Sequence, residues 1–271
     1  MSVSATAARS TRARARSTRA RVPPTVVGAI AIAWALAVAA EISGRGLALH
    51  HDALIEGKLP YALALVLFLV AWQAMVAAMM VPSSLPLVRL FAAAAHGQPR
   101  PRAAMAAFLG GYAFVWTIFG WLAFVGDTMV HATVDRTPWL QQHDWLIAGG
   151  TLALAGAFQF SGLKDRCLQV CRHPGAFLLR HYERGLPGAL ALGRRHGLFC
   201  LGCCWALMLL MFAAGVANLW WMAGLTALMV YEKTGAAGRR AVPVGGIALL
   251  ACAALVLAHP HWLPALLGGS H

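Results

Sequence analysis

Five of the chain's six cysteines fall into two groups flanking one basic stretch. The first is Cys167-x-x-x-Cys171, and the second is Cys200-x-x-Cys203-Cys204. On a helix, residues at i, i+3 and i+4 share a face. Extending the second group by that spacing takes in His196 upstream and Met208 and Met211 downstream. At 100° per residue these six side chains project within an arc of about 140°. An earlier apolar run adds Met75 and Met79 on one face, with Met80 beside them. Thiolate and thioether are the donors that select Cu(I). The candidate ligands are therefore Cys167, Cys171, Cys200 and Cys203, supported by Cys204, His196, Met75 and Met79. Two or three thiolates suffice for Cu(I), whereas four closed around one ion suit Zn(II) or an iron–sulfur cluster. All three cargoes stay open at this stage, with copper as the first expectation.

Two other readings compete. Cys200-x-x-Cys203 has the spacing of a thiol–disulfide exchange pair, which would make the chain a membrane thiol oxidoreductase. Cysteine is also a small buried hydrophobe, and a structural subunit could use all five thiols for packing. Lone Cys252 is read as packing. His196 borders a basic loop and could simply be solvated. His50, His51, His131 and His143 read as solvated residues of opposite-side loops, and His259, His261 and His271 suggest nothing specific. No acid–base or nucleophile–base pair stands out, so no catalytic residue is assigned.

The elements that must position these residues are apolar helices. The chain is 60% hydrophobic and 11% charged, with a mean hydropathy of +0.67. Runs of about 17–25 apolar residues span a bilayer, and they occur at 25–40, 59–81, 103–125, 145–163, 197–230 and 241–258. The fifth run would be about 51 Å long as one helix, against a hydrocarbon core of about 30 Å. It reads as a hairpin turning near Gly215–Asn218. The expectation is an all-α polytopic bundle of six to seven spans, about seven.

Charge distribution orients it. The net charge of +13 is concentrated in the N-terminal 21 residues and in alternate loops: Arg89–Arg102, Lys164–Arg195 and Lys233–Arg240. Basic loops stay cytoplasmic, so the N-terminus and both cysteine groups are expected at the cytoplasmic face of the cell (inner or plasma) membrane. There thiols stay reduced. Nucleic-acid binding is not expected, and no Gly-rich phosphate loop with a following Lys-Ser/Thr indicates ATP-driven chemistry. Residues 1–22 read as a disordered basic tail, and 23–271 as one membrane domain. Ala37-Val38-Ala39 resembles a signal-peptidase site, but the long basic segment and the apolar run fit an anchor better. Gln73, Gln159 and Asn218 are expected to hydrogen-bond between helices. Pro82 and Pro86 are expected to stop their helix.

Ordered blocks from 72 to 233 carry a family resemblance. They are Trp72-x-x-Met75-x-x-x-Met79-Met80-x-Pro82-Ser83, then Gly111-Tyr112-x-x-x-Trp116. Next comes Ala155-Gly156-x-x-Gln159-x-x-x-Leu163-Lys164-x-x-Cys167-x-x-x-Cys171-Arg172-x-Pro174. The last runs from His196-Gly197 through Cys200-x-Gly202-Cys203-Cys204-Trp205-x-Leu207-Met208 to Asn218, Trp221-Met222 and Glu232-Lys233. Together they resemble the predicted metal-binding integral membrane proteins grouped as domain of unknown function 2182, some labelled copper chaperones. Phe158, Ser161-Gly162 and Ala217 depart mildly from that pattern. The resemblance implies a membrane location and metal binding. The Met75/Met79 spacing is also similar to the membrane methionine motif of eukaryotic copper importers. The expected partners are the lipid bilayer, a metal ion, and a membrane protein that donates or accepts it.

Overall fold

A computed structural model describes residues 21–43, 60–143, 145–213 and 218–260, without the side chains of 212 and 213. The described residues form ten helices and no strand: α1 (Pro24–Ile42), α2 (Tyr61–Ala95), α3 (Pro101–Arg136), α4 (Pro138–Gln141), α5 (Trp145–Phe158), α6 (Gly162–Arg172), α7 (Pro174–His181), α8 (Gly185–Ala213), α9 (Leu219–Thr234) and α10 (Gly238–Ala258). The expected tail lies outside the described residues except for its last two positions, as do His50, His51, His261 and His271.

Local chemistry explains several boundaries. Proline opens α1, α3, α4 and α7, where its missing N–H costs nothing. Ser161 caps α6 by accepting the Lys164 N–H at 3.1 Å. Asn218 caps α9, its Oδ1 accepting the Trp220 and Trp221 N–H groups. The turn expected near Gly215–Asn218 falls outside the described residues except for Asn218; α8 is described to Ala213 and α9 begins at Leu219. Asn218 thus acts on its own helix as a cap. Gln73 follows the expectation and joins α2 to α3 through the Ala113 carbonyl and Thr117 hydroxyl. Gln159 does not, for its buried amide has no hydrogen-bond partner.

Two expectations are corrected, and the span count is borne out only in part. By length and composition, four helices can cross a membrane: α1, α2, α3 and α10. The pair α5 and α6, bent by 62°, makes a possible fifth. The described residues thus offer four to five candidate spans, not clearly the six to seven expected. α9 has 16 residues, about 24 Å, which falls short of a hydrocarbon core. α8 packs against α3, α5, α6 and α9.

Pro82 and Pro86 do not end their helix, because α2 continues through both to Ala95. Proline at 82 removes the N–H that the Ala78 carbonyl would accept. The Trp34 indole of α1 donates to that carbonyl instead, at 3.0 Å. Nor is Lys164–Arg195 a basic loop. It folds into α6, α7 and the start of α8.

α8 sits close against α3, with which it shares the most extensive helix contact. The approach depends on two facing glycines. A Cβ at Gly111 would collide with the Leu190 carbonyl, and one at Gly193 with the Phe108 carbonyl. Small residues permit such backbone approach between apolar helices.

Candidate metal centre

The two cysteine groups meet where α6 crosses α8. Gly202 makes room for that crossing, since a Cβ there would lie 2.6 Å from the Cys167 Sγ. One turn further along α6, Cys171 comes into near-contact with Cys203. Cys167, Cys200, Cys203 and Cys204 are buried and Cys171 is half-buried. All are free thiols.

Cys200 has the most polar surroundings. The Tyr112 hydroxyl of α3 lies 3.1 Å from its sulfur. The Lys233 ammonium of α9 donates to the same sulfur at 3.2 Å and to the Ser83 hydroxyl at 2.9 Å. Cys203 and Cys204 donate their S–H groups back to the Cys200 carbonyl, at 3.1 Å and 2.7 Å. Cys204 also lies 3.4 Å from the Met80 Sδ.

Among the methionines, Met80 is thus the one placed against a thiol. Met75, Met79, Met208 and Met211 are buried in the same apolar cluster as the cysteines. His196 is buried, not solvated, with Nε2 3.0 Å from the Ser84 hydroxyl and its ring stacked on Tyr112. Burial, reinforced by the Lys233 charge, pushes the imidazole down to about 3, so it is neutral at physiological pH. Cys252 stands apart on α10, lining an apolar groove with Trp220 and Trp221. His131 and His143 belong to helical turns, where each Nδ1 contacts the carbonyl four residues back.

Chemically, this is a largely buried cluster of sulfur atoms at the edge of an apolar core. Among the described residues, no three His, Cys, Asp or Glu side chains are grouped to hold one ion.

Residues 69–256 match the family PpoB2, described as copper chaperone. The chain belongs to this family. The matched stretch runs from the first half of α2 to the end of α10 and contains all eight candidate ligands. No curated protein and no solved structure matches.

In this member of the copper-chaperone family, the burial and pairing of charged residues near the thiols are what sequence reasoning missed. Lys164 and Lys233 read as loop charges that orient the chain, yet both are buried. The Lys164 ammonium lies 2.7 Å from a Glu232 carboxylate oxygen, with both side chains sealed from solvent. Arg172 closes the end of α9 by donating to the Glu232 and Gly235 carbonyls. A signal existed: Ser83, Tyr112, Lys164, Arg172, Glu232 and Lys233 all stand within the ordered blocks that also hold the cysteines.

Proposed function

We propose that the protein handles Cu(I) in a membrane, as a chaperone, insertion factor or importer. It would hold the ion on Cys167, Cys171, Cys200 and Cys203, with Cys204, His196, Met75 and Met79 in support. The observation that carries this reading is the meeting of the two cysteine groups where α6 crosses α8, with Cys167 against Gly202 and Cys171 near Cys203, beside one apolar core. Membership of a copper-chaperone family supports copper as the cargo. Paired thiols suit two-coordinate Cu(I) better than the closed tetrahedral site that Zn(II) prefers.

The site faces the cytoplasm in this reading, in a multi-pass protein of the cell (inner or plasma) membrane with its N-terminus inside and residues 23–271 forming one domain. Copper passes to or from another membrane protein.

Elemental mass spectrometry on protein purified anaerobically from copper-replete cells tests the reading. Near-stoichiometric copper is expected in the wild type. It should be absent from the variant with Cys167, Cys171, Cys200 and Cys203 changed to serine. Zinc or iron in its place would keep the site and change the cargo. Copper retained by the serine variant would overturn the site.

A further inference from the structure

Three charged side chains are buried among the described residues: Lys164, Glu232 and Lys233. Two of them cancel, because Lys164 and Glu232 form a closed pair at 2.7 Å. The Lys233 ammonium is left over. It is held by the Ser83 hydroxyl and points its charge at the Cys200 sulfur, 3.2 Å away. An ammonium taken out of water needs an anion or loses much of its solvation. Lys233 hydrogen-bonds a hydroxyl and a sulfur, while the neighbouring Glu232 carboxylate, which feels its charge, is held at 2.7 Å by Lys164.

We infer that Lys233 is the charge partner of the metal–thiolate complex, so that the pocket is selective for a complex of net charge −1. When Cu(I) binds two cysteines, two thiols each lose a proton and two Cu–S bonds form. The product, one +1 ion with two −1 thiolates, carries a single negative charge. One surplus buried ammonium neutralises it. A two-thiolate complex of a dication would be neutral and would leave Lys233 uncompensated. Lys233 therefore acts on selectivity through Cys200 and need not touch the ion. Ser83 fixes its position, and the ion pair beneath keeps the surplus at one.

This inference rests on the Cu(I) reading, and its test separates the two. Cu(I), Ag(I) and Hg(II) all accept two thiolates in a line, but the first two give anionic complexes and the third a neutral one. Affinities for each ion are measured by competition with soluble chelators on anaerobic, detergent-purified full-length protein. The proteins compared are the wild type, Lys233→Met, Lys233→Gln, Lys233→Arg and the four-serine variant. Lys233→Met should bind Cu(I) and Ag(I) at least about tenfold more weakly, since hydrogen bonds to charged groups are worth about 1.5–3 kcal/mol. Its Hg(II) affinity should stay within about threefold of wild type, and Lys233→Arg should restore Cu(I) and Ag(I) binding. The glutamine variant gives the same readout with a hydrogen bond to Ser83 still available, in case the methionine variant misfolds.

Equal weakening for all three ions, or no weakening for any, would overturn the role of Lys233 and leave the Cu(I) site standing. Wild type that binds no Cu(I), or a four-serine variant that binds it fully, would overturn the site and the inference with it.

Discussion

Lys164 and Glu232 are joined across 68 residues by a 2.7 Å ion pair in which both side chains are sealed from solvent. The pair ties the first turn of α6 to the last turn of α9. It therefore links the helix that carries Cys167 and Cys171 to the one that carries Lys233.

Breaking this pair from one side leaves a buried charge without a partner, which typically costs about 3–5 kcal/mol. Glu232→Gln and Lys164→Met are each expected to destabilise the protein by that order. Replacing both by apolar residues of similar volume should recover most of the loss. Thermal unfolding of the single and double variants in detergent checks this, and additive losses would contradict it.

The Trp34–Ala78 hydrogen bond exists because Pro82 cannot supply its own donor to that carbonyl. Trp34→Phe should therefore cost about 1–3 kcal/mol, the price of a buried acceptor left unmade. In a Pro82→Ala background the helix can satisfy Ala78 itself, so the same change should cost less. A double-mutant cycle on denaturant unfolding measures the coupling, and a value near zero would refute the relationship.

Gly111 and Gly193 let α3 and α8 touch backbone to backbone. Gly193→Ala is expected to force the helices apart, with a loss of about 1–3 kcal/mol by overpacking. Gly110, which has nothing near its would-be Cβ, is the control, and Gly110→Ala should be close to neutral. Equal melting temperatures for the two variants would contradict the close approach.

The nearness of Cys171 to Cys203 across α6 and α8 predicts that mild oxidation of the metal-free protein couples these two first. Peptide mapping should find one disulfide-linked pair containing them, while Cys252 on α10 stays alkylatable. Copper loaded beforehand should protect the pair. A disulfide within the Cys200–Cys204 segment in its place would disagree with the geometry.

Much of the molecule was legible from residue order alone. Apolar runs located every long helix, since burial in a bilayer or a core demands hydrophobic length wherever a helix packs. The spacing of Cys200, Cys203 and Cys204 put them near one face of α8, because 3.6 residues per turn is a local property. The break before α9 followed from the excessive length of one run, and Asn218 supplied the cap. Other features depended on distant partners. Whether Pro82 ended α2 was settled by Trp34, 48 residues earlier in the chain. How closely α8 packs on α3 was settled by Gly111 and Gly193, one on each helix. Met80 was chosen over its neighbours as the thioether next to Cys204 by the rotation of α2 against α8. Above all, Lys164, Glu232 and Lys233 look like ordinary cytoplasmic charges in a string of residues. Only the packing of α6, α8 and α9 takes them out of water, and a charge out of water must find its opposite.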